Sequence, residues 1–478
     1  MFFGRESYLD ELESLWVKAV PSLVTCRGRR RIGKSTLIAE FARRSKARLV
    51  ELVGEAPRAG MKNDDQLRTF ERQLRDKAGY RGKPITDWYA AFKALDDVLD
   101  KRKTVVLLDE ISWMGQYDRS FAGELKTAWD VLFKKHERLV LVLCGSVSTW
   151  ISENILNNTG FVGRASLNIT VKELNLGECV KFWGKKAQRL APRDILDILS
   201  VTGGVPRYLE EVNASLSADE NIRRMCFTPH ALLRDDFSKI FGTVFGENAD
   251  VKRNILLALA EGPRGVSEIA DIIQYEKSGR LSNHLEELKI AGFISENAGL
   301  NPSSGKASKF VKFRISDNYT RFYLRYVAPN GRLIDDGAFP FPSLNSLDGW
   351  QSILGIQFEN LVFNNLSMLL PQLGMDHVLL TSAAPYVQRS TTRSRGCQID
   401  LLLQSEGSIC VIEIKRRREI GPEVEQEVAA KVKALKVAGN KTVRTALIYD
   451  GELSPRVPAR GFFDHIVSIG DVIRANAE

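Results

Sequence analysis

Two groups of residues in this chain combine side-chain types and spacings that can do chemistry. The first is Gly28-Arg29-Arg30-Arg31-Ile32-Gly33-Lys34-Ser35, followed by Thr36. Glycines at both ends of such a loop permit a tight turn whose backbone N–H groups point inward at phosphate oxygens. Lys34 would supply a mobile cation for the β- and γ-phosphates, and the Ser35 hydroxyl can ligate Mg²⁺. The second group is Asp400, Glu413 and Lys415. Glu413 and Lys415 stand two apart in an apolar run, so on a strand they project from one face, and a short hairpin brings Asp400 opposite Glu413. Two acids and a lysine at one point suit metal-assisted phosphodiester cleavage: Asp400 and Glu413 as Mg²⁺ ligands, Lys415 orienting the water or stabilising the developing charge. Ordinary charged strand ends are the competing reading. Two charges inside Ile412-Glu413-Ile414-Lys415 nevertheless cost stability unless they coordinate or pair.

Each group needs elements to hold it. Pro21 to Cys26 reads as a short buried strand, and Leu37, Ile38, Phe41 and Ala42 form the buried face of a helix beginning near Lys34, whose dipole adds positive potential. This is the strand-loop-helix context that a phosphate-binding loop requires and a plain surface turn lacks. The run Thr104 to Leu108 has the continuous apolarity of a central parallel strand and ends in Asp109-Glu110. Asp109 would hold Mg²⁺, through water or through Ser35, and Glu110 would polarise the attacking water as general base. A third strand, Leu139 to Cys144, ends at Gly145-Ser146, where Ser146 would sense the γ-phosphate or simply cap.

The 478 residues are too many for one core, and 44% hydrophobic with 27% charged residues describes a globular multidomain chain. No stretch approaches the ~20 apolar residues needed to span a bilayer, and the start lacks the features of a signal peptide. The expected location is the cytoplasm, with no membrane partner. Six scattered cysteines point to buried thiols rather than a disulfide framework or a metal site. A net charge of +9 favours a polyanionic partner, of which nucleic acid is the commonest.

Beyond Val251 the pattern gives three helices, Val251 to Ala260, Val266 to Gln274 and Gly279 to Ala291, then a ribbon from Phe293 to Arg314, which is winged-helix order. Leu281, Leu285 and Leu288 make the buried stripe of the third helix and leave Arg280, Asn283, His284 and Glu287 outward. That face, with wing cations Lys306, Lys309 and Lys312, would meet DNA; its mixed charge equally suits a coupling element packed on the rest of the chain. The aromatics from Tyr319 to Tyr326 read as core. Ala328 to Gly349, rich in Pro, Gly and Asp, reads as a linker. Arg416-Arg417-Arg418 would suit a DNA backbone or be a solvated strand end.

Phe3-Gly4-Arg5-Glu6, the arginine-rich loop, Leu108-Asp109-Glu110, Cys144-Gly145-Ser146, Val162-Gly163-Arg164 and Thr202 to Leu209 occur in the order seen in archaeal-type ATPases of the AAA+/STAND group, which residues 1 to 330 therefore resemble. The resemblance implies that Gly4, Arg5 and Glu6 lie beside adenine, that Gly204 and Pro206 approach the nucleotide from a helical lid, and that Arg29, Arg30 and Arg31 are phosphate-side electrostatics. Arg164 is its candidate for the arginine that meets the γ-phosphate, in cis or from a neighbouring copy in a homo-oligomer; a surface cation is the alternative. The C-terminal carboxylates resemble the PD-(D/E)XK nuclease pattern, which implies a restriction-endonuclease-like fold. There Glu359, in Phe358-Glu359-Asn360, completes the metal site, and a helix from Pro422 to Val437 offers Gln426 and Lys433.

The expectation is an α/β multidomain protein: a P-loop parallel-sheet ATPase core over 1–170, a helical lid over 171–248, a winged helix with its aromatic segment over 249–327, a linker over 328–349 and a nuclease-like domain over 350–478. ATP and Mg²⁺ are the expected cofactors and DNA the expected partner. The expected function is an ATP-hydrolysing switch coupled to a Mg²⁺-dependent nuclease. The alternative is an ATP-dependent DNA- or partner-binding regulator whose nuclease-like domain does not cut.

Overall fold

The computed structural model describes residues 2–146, 149–245, 249–308, 310–390, 395–437, 439 and 441–477. The chain forms two compact units, Met1–Glu173 with Ile240–Gly246 and Ile290–Gly292, and Leu174–Lys239 with Glu247–Lys289 and Phe293–Glu478. Among the described residues no helix is long and apolar enough to cross a membrane.

The first unit is organised by five strands: β1 (Ser22–Gly28), β2 (Arg48–Val53), β3 (Thr104–Asp109), β4 (Leu139–Ser146) and β5 (Ala165–Val171). They run parallel in the order β2-β3-β4-β1-β5. All six residues of β3 are buried, as a strand covered on both faces requires. The order sets β4 between the strands that end in the glycine loop and in Asp109, so Ser146 pairs in register with Gly28. Helix α1 (Glu6–Ser14) precedes β1, α2 (Lys34–Arg44) follows the loop, and α3 (Phe121–Val131) packs between β3 and β4 in sequence. Leu37, Ile38, Phe41 and Ala42 of α2 are buried.

In the second unit, α4 (Pro192–Thr202) is an amphipathic helix with Ile195, Leu196, Ile198 and Leu199 buried. The winged helix follows: α5 (Ala249–Ala260), α6 (Val266–Ile273), α7 (Gly279–Ile290) and an antiparallel pair β6 (Ile294–Asn297) and β7 (Lys312–Ile315). Leu281, Leu285 and Leu288 are the buried stripe of α7. The wing loop packs on the C-terminal sheet: Gln404 Nε2 donates to the Leu300 carbonyl at 2.7 Å, and Arg389 lies 4.4 Å over the Phe310 ring. Of the wing cations, Lys306 is exposed, Lys312 half-buried and Lys309 outside the described residues.

Helices α8 (Asn318–Phe322) and α9 (Trp350–Asn364) lead into the C-terminal domain. Its strands are β8 (Ser382–Gln388), β9 (Cys397–Gln404), β10 (Ser408–Ile420), β11 (Thr442–Leu453) and β12 (His465–Ser468), with α10 (Glu423–Ala434) between β10 and β11. The sheet is mixed, in the order β12-β11-β10-β9-β8, antiparallel from β8 to β10 and parallel from β10 to β12. The chain is thus an α/β multidomain protein with a parallel-sheet P-loop core, helical elements, a winged helix and a C-terminal mixed sheet.

Residues 328–349 differ from the linker expectation. Phe339 and Phe341 stack on Phe227 at 4.9 and 4.6 Å between ring centroids, and Ile334 and Leu344 are buried, so aromatic packing fixes a stretch whose Pro and Gly content reads as mobile. One apolar core joins the helices around α4 to the C-terminal sheet: Leu176, Ile195 and Leu199 pack in the same cluster as Phe358, Leu401 and Ile412. A second cluster lies on the other side of the sheet, under Val424 and Val428 of α10.

Candidate functional site

Gly33 caps α2 with φ 82°, a left-handed conformation that suits glycine, and this turn aims the first N–H groups of α2 at the loop's concave side. Lys34 is buried at its base, with Nζ donating to the carbonyls of Gly28 and Arg29, both at 3.1 Å. The Ser35 hydroxyl donates to Asp109 Oδ2 at 2.6 Å, so the end of β3 and the start of α2 meet at the two groups read as Mg²⁺ ligands. Thr36 is exposed and Ile32 buried.

Glu110 has φ 50° and ψ 47°, and its carboxylate accepts from the Ser146 hydroxyl at 3.1 Å and the Ser146 N–H at 3.3 Å. The strand order therefore brings Ser146 onto the general-base candidate. Left-handed backbone at a non-glycine residue costs free energy, and it occurs here beside the loop.

Arg5 is buried and donates to the carbonyls of Ile32 and Gly33, the latter at 3.2 Å. Arg5 thus braces the loop from outside, while Gly4 and Arg5 both take positive φ before α1. Glu6 is turned to Arg44 at the far end of α2, 2.6 Å away. The three loop arginines are separated: Arg29 lies 3.5 Å from Glu173, Arg30 sits 5.6 Å over the Trp113 ring, and Arg31 takes φ 68°. Arg164 pairs with Asp130 of α3 at 2.8 Å, and this contact, with Lys134 and Lys126, holds the Asp130 carboxyl well below its ordinary range. After α4, the Gly204 carbonyl accepts from the Leu174 N–H at 2.8 Å, and Pro206 starts a one-turn helix.

The second site forms where β9 and β10 part. Their ladder pairs Ile412 with Leu401, and at the next step Asp400 Oδ2 accepts from the Ile414 N–H at 3.0 Å, a side chain replacing the missing ladder partner. Glu413, only 1% exposed inside an apolar strand, is flanked by two lysines. Lys415 Nζ lies 2.8 Å from Oε1 and 2.8 Å from Glu427 of α10; Lys431, also on α10, lies 2.5 Å from Oε2 and 3.8 Å from Asp400 Oδ1.

Burial and the neighbouring Glu413 push the Asp400 carboxyl up, against the pull of Lys431. Burial and then Asp400 push Glu359 to about 7, opposed by Arg314 and Arg321. Glu359 therefore shares one electrostatic environment with Asp400 and Glu413. Burial opposes the charge on Lys415, and its hydrogen bonds to Glu413 and Glu427 outweigh that, raising its pKa.

An all-carboxylate donor set fits a hard divalent ion. Among the described residues, however, no three His, Cys, Asp or Glu side chains stand close enough to hold one ion together. Lys431 was not named from sequence. Gln426 and Lys433, which were, are exposed. The signal for Lys431 was its place at i+7 from Val424 and i+3 from Val428, on the buried stripe of α10.

Arg416 is also reassigned. It is 5% exposed and pairs with Asp197 of α4 at 2.6 Å and Asp450 at 3.0 Å, with Ser200 Oγ accepting at 2.9 Å. Helix α4 takes its charge, while Arg417 and Arg418 are both exposed. A polar network joins the same helix to α9: Gln357 Nε2 donates to the Ser200 carbonyl at 2.9 Å, and Asn318 Nδ2 donates to the Leu199 carbonyl at 3.2 Å.

Residues 2–212 match the family model described as an ATPase domain predominantly from Archaea. Residues 250–296 match that of the bacterial regulatory proteins of the arsR family. An uncharacterized protein of Methanocaldococcus jannaschii is 24% identical over 361 residues, covering 75% of this chain and 76% of its own. A solved Walker-type ATPase of Pyrococcus abyssi superposes with a TM-score of 0.51 at 18% identity, over 68% of this chain and 96% of that one, and so shares the fold.

Proposed function

We propose that this chain, which contains an archaeal-type ATPase domain and an arsR-type helix-turn-helix, is an ATP-hydrolysing switch coupled to a Mg²⁺-dependent DNA nuclease built on its C-terminal sheet. For ATP, Lys34 would serve the β- and γ-phosphates, Ser35 and Asp109 would hold Mg²⁺, and Glu110, steadied by Ser146, would orient the water. For DNA, Asp400 and Glu413 are the metal ligands, with Glu359 beside them, and Lys415 stays in place beside Glu413 to neutralise the developing charge. Mg²⁺, when bound, supplies Lewis-acid activation of the phosphodiester.

The observation that carries the nuclease reading is the convergence of Asp400, buried Glu413 and Lys415 at one point of the C-terminal sheet, with Lys431 contacting both carboxylates. The strand order, with two antiparallel and then two parallel pairings, further supports the resemblance to PD-(D/E)XK nucleases. Lid and sheet share the Asp197–Arg416 contact, so a shift of α4 would reach the strand bearing Glu413 and Lys415.

Lys34→Ala should abolish ATP turnover, and Asp400→Ala or Lys415→Ala should abolish Mg²⁺-dependent cleavage while sparing the ATPase. Wild-type protein that never cuts any DNA or RNA above the Asp400→Ala control removes the nuclease half. The regulator reading, an ATP-dependent DNA- or partner-binding protein whose nuclease-like domain does not cut, then takes its place. Salt-sensitive DNA binding that survives in the Asp400→Ala, Glu413→Ala double variant would identify it.

A further inference from the structure

We propose that Lys431 is the resident cation of the carboxylate site, so that a divalent ion enters by displacing its ammonium group. The inference rests on reading Asp400 and Glu413 as metal ligands. Lys431 Nζ contacts both, at 3.8 Å from Asp400 Oδ1 and 2.5 Å from Glu413 Oε2, and thereby stands where a shared ion would stand.

The two lysines around Glu413 are not equivalent. Lys415 faces Oε1 and keeps a second partner, Glu427, which is no candidate ligand, so it stays anchored when the ion arrives. Both partners of Lys431 are the carboxylates that the ion takes, and nothing else in its ion-pair set would hold it there. Its side chain is 22% exposed against 1% for Glu413, so a flexible four-carbon stem can carry the charge to the surface.

The consequence is a site that is charge-compensated without metal and binds metal more weakly than its ligands alone would. Removing both the ion and the ammonium leaves Lys415 alone against Asp400 and the buried Glu413, which is unfavourable. Lys431 therefore protects the fold of the empty site while setting the divalent-ion concentration at which it fills.

The test is calorimetric titration of Mn²⁺ into the full-length chain, wild type against Lys431→Met, which keeps the stem and removes the charge, with Asp400→Asn as the non-binding control. The expected result is about tenfold or greater tightening of Mn²⁺ in Lys431→Met, together with a melting temperature that falls in chelator and is restored by Mn²⁺. Lys431→Arg, which keeps the charge, should stay close to wild type. Unchanged or weaker Mn²⁺ affinity in a folded Lys431→Met, or no Mn²⁺ binding in either protein, overturns the proposal. Tightening in a protein that cuts no nucleic acid upholds the displaced cation and rejects only the nuclease reading.

Discussion

Arg164 and Lys431 carry the same charge and were legible to different degrees, for opposite reasons. Arg164 stood out by its place in a motif, yet its guanidinium is spent on Asp130. We therefore expect Arg164→Ala to leave ATP turnover within about twofold and to cost under about 1 kcal/mol in chemical denaturation. A fall in turnover on the order of 10³ would restore it as the arginine that meets the γ-phosphate. Lowering the pH should weaken the Asp130 cluster: its carboxyl is depressed in the fold, so its contribution is present at neutral pH and is lost as pH falls through its folded pKa. Asp130→Asn should flatten the acid limb of a stability curve measured against pH. Asp400, Glu413 and Lys415 were readable because charges inside apolar strands are conspicuous. Lys431 was hidden in Glu423–Ala434, where it is one of two lysines in the last turns of the helix and only the packing of Val424 and Val428 says which of them faces inward.

At the scale of elements, strands buried on both faces announced themselves, and edges did not. β3 and β4 are unbroken apolar runs. β5 alternates exposed and buried positions through Asn168 and Thr170, and β8 carries Pro385, which the edge of a sheet tolerates and a central strand does not. Neither is a continuous apolar run, so neither stands out in the sequence as β3 and β4 do. The join between Leu174 and Gly204 is another element-level device. A Cβ at Gly204 would lie 2.1 Å from the Leu174 carbonyl oxygen, and backbone cannot step aside as a flexible side chain can. Gly204→Ala should therefore break the Leu174–Gly204 hydrogen bond and cost roughly 1–3 kcal/mol, read as a lowered melting temperature. A variant as stable as wild type would show that the two segments part without cost.

For the molecule as a whole, composition foretold several domains, but not that lid and C-terminal sheet would be built around one core. Sequence patterns report which face of an element is apolar and not which distant element covers it. Here the apolar face of α4 is covered by residues more than 150 positions further along, among them Phe358 and Ile412. A chain ending at residue 349 should consequently aggregate or lose amide-exchange protection over Leu176 to Leu199, whereas independent modules would leave that protection intact. The same shared core bears on descent. Where two modules meet across a solvated tether, recombination can exchange one and leave the other working. Here an exchange at residue 349 would strand half of a hydrophobic interior, so the lid and its sheet must be inherited as a pair, each preserving substitutions that suit the other.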